Sequence, residues 1–306
     1  MSYNELLDRT KKISNVGNAA GVLRWDQEVM MPEGGTPARS QQLSALSSVR
    51  HDLLTDDRTG ELLDAAEPSD GEERAVVREI RREYERSMRV PNELVEEISE
   101  ATSEAHPVWA SAKEADDFEE FAPTLERLVE LRREYADHVN PDVPRYEALF
   151  EEFEPYLGLD TAERVLSTLR DELVPLIEDV VASDLSPEPL PSVGEETQEE
   201  VVRDALEALG YDWERGRLDV APHPFSTGTQ FDARVTTRYS EDPLDALTST
   251  VHEFGHATYT LGLPRDEYGT PLGEARDLTV HESQSRFWEN HVGRTEAFWE
   301  LFLPTV

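Results

Sequence analysis

From Tyr3 to about Val139 the apolar side chains recur every three or four residues, as at Leu94, Val95 and Ile98 and again at Leu125, Leu128, Val129 and Leu131. That spacing confines the N-terminal half of the chain to amphipathic helices with one buried face. The punctuation agrees: Pro91 and Pro123 sit near expected first turns, and Asp160 with Glu163 after Gly158 reads as an N-cap with its partner. A Pro- and Ser-rich stretch around 183–197 is expected to be a surface loop, after which a helix resumes near Gln198 and ends at Gly210.

The texture changes at Thr227–Tyr239, where Phe231, Ala233 and Val235 alternate with polar neighbours, the pattern of a strand. Asp242 then caps a new helix, with Pro243 in its first position and Asp245 in its first turn, and Gly262 and Pro264 end it. A Gly-rich loop, Tyr268–Gly273, leads to a further helix expected from Glu274 to His291. The aromatic stripe Phe287, Trp288, Phe298, Trp299 and Phe302 has helical spacing and is read as packing.

Charge excludes several partners. With 66 acidic residues against 29 Lys and Arg, the formal net charge is −37, which disfavours nucleic acid and anionic membrane. The acids are spread along the whole length and Lys occurs only at Lys11, Lys12 and Lys113, a pattern suited to a halophilic cytoplasm where molar salt screens their repulsion. Cysteine is absent, so any metal must be held by His and carboxylate. The N-terminal segment has no apolar core of a targeting peptide, and a cytoplasmic location is expected.

Inside the Asp242 helix stands His252-Glu253-Phe254-Gly255-His256. Residues four apart project from one helix face, so both imidazoles can grip one ion, while Glu253 on the adjacent edge is placed as general base for an attacking water. Zinc suits such a set and leaves a position open for water whose pKa falls to near 7. A third ligand is needed. Glu274, Asp277, His281, Glu282 and Glu289 are the candidates on the following segment, and spacing does not choose among them.

Four motifs in order, His223-Pro224-Phe225, Asp232-Ala233-Arg234-Val235-Thr236, the HExxH pentapeptide and His281-Glu282-Ser283-Gln284, together with Trp25-Asp26-Gln27-Glu28 before Met30-Met31-Pro32, resemble the carboxypeptidase Taq family of metallocarboxypeptidases. The resemblance implies a mainly α fold, a long-helix zincin-like metallopeptidase with a small β-element before the HExxH helix. It implies Zn²⁺ or Co²⁺ as cofactor, peptides as substrates, His252, His256 and Glu282 as ligands and Glu253 as base. It places His223 and Arg234 along the substrate cleft, and His281 and Gln284, one turn apart, behind the ligands. Arg234 also has an ordinary structural use, pairing with Asp232 along its own strand.

The domain expected is a single one over 1–306, with a helical part at 1–182, a loop at 183–197 and a metal-site part at 198–306. Segments like Ile-Arg-x-x-Ala-Asp and Gly-x-x-Gln-Asp-x-His-Trp, which follow in the family, do not appear, so the domain is expected to be incomplete and weakly active. A homodimer is the candidate assembly. The functions in competition are a metallocarboxypeptidase, a related zinc oligopeptidase cutting internal bonds, and an inactive metal-binding fragment.

Overall fold

A computed structural model describes residues 2–185, 191–275 and 277–302. Among the described residues nine α-helices come first: α1 (Ser2–Val29), α2 (Thr36–Thr55), α3 (Asp57–Ala65), α4 (Gly71–Ser87), α5 (Asn92–Ala115), α6 (Phe118–Val139), α7 (Arg145–Phe153), α8 (Leu159–Val181) and α9 (Glu195–Leu209). Strands β1 (Gly216–Val220), β2 (Ser226–Thr229) and β3 (Asp232–Thr237) follow, then α10 (Pro243–Gly262), α11 (Leu278–Arg286), a π-helical stretch Phe287–Val292 and α12 (Glu296–Phe302). The fold is mainly helical with a small sheet, as the apolar periodicity and the single strand-like stretch imply.

The buried faces assemble separate cores. Leu6, Leu62, Leu63, Val76 and Ile80 join α1, α3 and α4, while Val90, Leu94, Leu131 and Val139 join α5 to α6. A third cluster, with Val202, Leu206, Tyr211, Leu218, Val235, Ala246 and Phe254, binds α9, the sheet and α10 into the block that carries the HExxH helix. Phe298 and Phe302 of α12 are buried with Ala205, Leu247 and Val251, and Trp288 and Trp299 pack on them, so the aromatic stripe is packing surface apart from the half-exposed Phe287. In contrast α8 buries none of its side chains and exposes Leu166, Leu169, Leu173, Leu176 and Ile177.

The sheet has the order β1-β3-β2. β1 runs parallel to β3 with Leu218 opposite Val235, and β2 runs antiparallel with Thr227 opposite Arg234. The stretch Thr227–Tyr239, read as one strand, is therefore a hairpin whose turn is Gln230-Phe231. Gly228 has φ +145°, and a Cβ there would lie 1.8 Å from the Asp232 carbonyl oxygen, so glycine lets the two strands close. Phe231 consequently points outward, half exposed, against Tyr268, instead of alternating inward with Ala233 and Val235.

Other boundaries also shift. Gly158 is the residue before α8 and Asp160 lies in its first turn without capping it. Pro123 sits inside α6, whose cap is Asp117, accepting from the Glu120 amide. Helix α9 starts at Glu195, taking in three residues of the expected loop, while 186–190 lie outside the described residues, as do Leu303–Val306. Helix α11 starts at Leu278 instead of Glu274, because the Asp277 carboxylate caps it by accepting from the Val280 amide at 2.8 Å.

Candidate active site

Helix α10 is built as its sequence dictates. The Asp242 carboxylate accepts from the Leu244 amide at 2.9 Å, and Pro243 occupies the first helical position. Its inner face, Ala246, Leu247, Thr250, Val251, Phe254 and Ala257, is buried against the sheet, α9 and α12. The Thr250 hydroxyl donates to that of Thr237 at 2.9 Å, tying the helix to the end of β3. Phe254 holds the same face edge-on between Tyr211 and Trp288. With that face fixed, His252 and His256 share the opposite one, and Glu253 lies between the two, 7 % exposed.

Gly255 decides how near α11 can come. A Cβ at this position would stand 2.6 Å from the Cα of Ser285 and 2.7 Å from the Gln284 carbonyl oxygen, contacts with backbone that cannot swing aside. The bare glycine surface admits α11, and α11 delivers Glu282. Its Oε2 lies 3.3 Å from His256 Nε2 and 3.7 Å from His252 Nε2. One ligand atom from each of His252, His256 and Glu282 lies within 4.8 Å of the other two. Metal–ligand bonds of ~2.0–2.2 Å in tetrahedral geometry put ligand atoms roughly 3.4 Å apart, so the donors are spaced for one ion.

The remaining candidates serve other ends. Glu289, largely buried, accepts from or faces His252 Nδ1 at 2.9 Å, on the far side of the ring from Nε2. A carboxylate there fixes the tautomer that leaves Nε2 free. Arg286 and Arg294 donate to Glu289 at 3.0 and 2.6 Å, and Arg286 also donates to Glu282 Oε1 at 3.0 Å, so one guanidinium steers both carboxylates. The His281 ring stands 4.4 Å from that of His256 and 5.5 Å from Tyr259. Gln284 donates to the Ser283 hydroxyl and not to Glu282. Glu274 accepts from Ser14, and Asp277 is spent as the α11 cap.

Electrostatics point the same way. Burial, and then the charge of Glu282, pushes the Glu253 carboxyl up to about 8, with the Ser226 hydroxyl working against both. Burial, and then His281 and His252, brings His256 down to about 4, and burial lowers His281 as well. Burial raises Glu289 but its hydrogen bond to His252 and the two arginines outweigh that and hold it below its usual range. Nδ1 of His256 is buried without a partner in hydrogen-bond geometry, with the backbone of His281 facing it. Two imidazoles, that of His256 held neutral by burial, beside the Glu282 carboxylate are a donor set that fits a divalent cation.

A cavity of about 620 Å³ borders His252, Glu253 and Glu289, and His223 lines it with its Nδ1 turned to the Pro224 carbonyl at 2.7 Å. Arg234 is elsewhere. Its guanidinium pairs with Asp232 at 2.6 Å and lies 4.2 Å over the ring of Trp25 in α1. Sequence reasoning missed Gly255, Arg286 and Arg294, and it had Glu289 only as a ligand candidate. The spacing of Glu282, Arg286 and Glu289, which puts all three on one helix face, held the signal.

The HExxH helix, the small sheet beside it and the helical body define a mainly helical metallopeptidase fold. Within that class the sequence matches the family described as Carboxypeptidase Taq (M32) metallopeptidase over residues 5–306, and the chain belongs to that family. The family implies a divalent metal. Relatives include Thermostable carboxypeptidase 1 of Thermus thermophilus, 36% identical over 99% of this chain and 63% of its own length. Carboxypeptidase 1 of Bacillus subtilis is 33% identical over 99% and 62%. The solved structure of a Pyrococcus furiosus carboxypeptidase superposes with a TM-score of 0.86 at 35% identity, covering 99% of this chain and 63% of that one. The chain thus spans somewhat under two thirds of the length of the relatives it matches.

Proposed function

We propose that the chain carries the catalytic centre of a zinc carboxypeptidase, with His252, His256 and Glu282 as ligands and Glu253 as general base. The observation that carries this reading is the meeting of His252 Nε2, His256 Nε2 and Glu282 Oε2 beside a buried, raised Glu253. A zinc ion held there would supply a Lewis acid and make water acidic near neutral pH. The chain's own groups do the rest. Glu253 takes the proton of the attacking water and returns it to the leaving amine, Glu289 holds the tautomer of His252, and Arg286 keeps both carboxylates in place. On the motif resemblance, His223 borders the substrate path and His281 stands behind the ligands, while Arg234 and Gln284, engaged by Asp232 and Ser283, are given no part in the centre.

Elemental analysis after dialysis tests the assignment: one zinc per chain is expected, and His252→Ala or Glu282→Ala should lose it. Full stoichiometric zinc in either variant sinks the ligand set. Arg286→Met leaves all three ligands intact and should weaken zinc binding about 10–100-fold, as loss of a group orienting the ligands does. A competition titration with a chromogenic chelator reads that change, and an unaltered affinity would remove Arg286 from the centre.

The setting we propose is a cytoplasm holding molar salt. At −37 the self-repulsion is large when the Debye length is about 30 Å, in 0.01 M salt, and small when it is about 3 Å, in 1 M. Melting followed by circular dichroism should therefore rise steeply from dilute buffer to molar KCl, and a flat profile would contradict the halophilic reading. No helix among the described residues is long and apolar enough to cross a membrane. Peptides are the partners proposed, and a homodimer the assembly.

A further inference from the structure

Helix α11 carries Glu282 and Arg286, yet little apolar burial holds it in place. It is nine residues long, too short to persist alone, and of its side chains only Ser285 is buried, while Leu278 and Val280 are 52 % and 41 % exposed. A helix with so small a buried face is placed by specific contacts. One is the bare surface of Gly255, which meets the backbone of Gln284 and Ser285 near the end of α11. The other lies at its start.

The first amides of a helix have no partner within it. In α11 the Val280 amide donates to the Asp277 carboxylate, and the Thr279 amide donates to Glu154 Oε1 at 2.6 Å. The Thr279 hydroxyl donates to the same oxygen at 2.8 Å. Glu154 stands 125 residues earlier, where α7 ends. Its backbone is fixed there, the amide donating to the Phe150 carbonyl at 2.9 Å and the carbonyl accepting from the Leu157 amide at 3.4 Å. A carboxylate only 8 % exposed needs donors, and the first turn of α11 supplies two of them together with the positive end of the helix dipole.

We propose that Glu154 is a positioning residue for the metal centre: by holding the first turn of α11 it fixes where Glu282 meets His252 and His256, and it ties the junction of α7 and α8 to the ion. Glu282 lies three residues beyond Thr279, between the two points at which α11 is held. Gly255 sets how near the helix comes, and Glu154 sets how far it can slide or tip. The inference rests on the reading of His252, His256 and Glu282 as ligands and deepens it. By linkage, whatever Glu154 contributes to holding the ion, the ion returns to the contact between Glu154 and Thr279.

A competition titration of the whole chain with zinc and a chromogenic chelator reads the effect. Glu154→Ala should bind zinc about tenfold more weakly, the low end of what losing a group behind the ligands costs. Glu154→Gln, whose amide oxygen can accept from the same two donors, should restore most of the parent affinity. Thr279→Val keeps the amide and loses the hydroxyl, so it should weaken zinc by about threefold, the equivalent of a modest hydrogen bond. Added to Glu154→Ala it should cost nothing more, as for two halves of one contact. Hydrogen exchange gives an independent reading: zinc should slow exchange of the Thr279 amide in the parent and do so less in Glu154→Ala. Ser103→Ala, which removes a buried hydroxyl bonded to Gln27 between α1 and α5, measures loss of stability alone and should leave zinc affinity unchanged. Parent affinity in Glu154→Ala, or an equal loss in Ser103→Ala, overturns the proposal and leaves the ligand set standing. Should Glu154→Ala fail to fold, Thr279→Val decides, and an unchanged affinity there overturns the proposal. A parent chain that takes up no zinc overturns both.

Discussion

Glu253→Gln should keep one zinc per chain and lose peptidase turnover by ~10²–10⁴ or more, because the amide can neither take a proton from water nor return it to the leaving amine. Near-normal turnover in that variant would remove Glu253 from the base role. A second measurement does not depend on turnover. In the metal-free protein the Glu253 carboxyl is pushed up to about 8, so at pH 7 it is mostly protonated. A divalent cation beside it favours the carboxylate, and zinc uptake at pH 7 should release close to one more proton from the parent than from the variant. Calorimetry in buffers of different ionisation enthalpy counts those protons.

The same shift sets a direction for stability. A carboxyl whose folded value lies above its unfolded value of about 4.5 binds more protons folded than unfolded. Its contribution is fully present below pH 4.5 and is lost as pH rises through 8. The metal-free parent should lose stability across that window by more than Glu253→Gln does, with zinc flattening the difference. A pH series of urea titrations on the two proteins reads it directly.

The site was legible in part because its chemistry is local. Asp242, Pro243 and the HExxH pentapeptide lie on one continuous helix whose cap, period and end are written in adjacent residues, and α10 forms where they place it. Sequence periodicity likewise gave the helical N-terminal half. Glu282 was different: spacing left five candidates, and only the motif order of the family selected it. The structure puts Glu282 against both imidazoles because two helices cross at Gly255, a contact that no sequence window contains. The hairpin was misread for a related reason. Gln230 is buried, its amide donating to the carbonyls of Pro264 and Gly273, so the turn is held by a loop more than thirty residues away.

Gly255→Ala should cost the protein its metal although no ligand is touched. In an unhindered helix the exchange stabilises by up to ~1 kcal/mol, since alanine has the higher helix propensity and glycine the greater freedom to lose. Here the added methyl carbon would stand 2.6 Å from the Ser285 Cα and 2.7 Å from the Gln284 carbonyl oxygen, so α11 must move by several tenths of an ångström at least. Glu282 and Arg286 are on α11 and Glu289 lies just beyond it, so that movement displaces a ligand, the carboxylate behind His252 and the guanidinium that links them. Zinc affinity should fall at least as far as on losing one orienting group, about 10–100-fold, and the melting temperature should fall with it. Gly262, at the end of the same helix, is the control. A Cβ there meets nothing within 4 Å, so Gly262→Ala should raise stability and leave zinc binding as it was. If Gly255→Ala instead behaves like Gly262→Ala, gaining stability and keeping its zinc, the close approach of α10 and α11 is not what brings Glu282 to the two imidazoles.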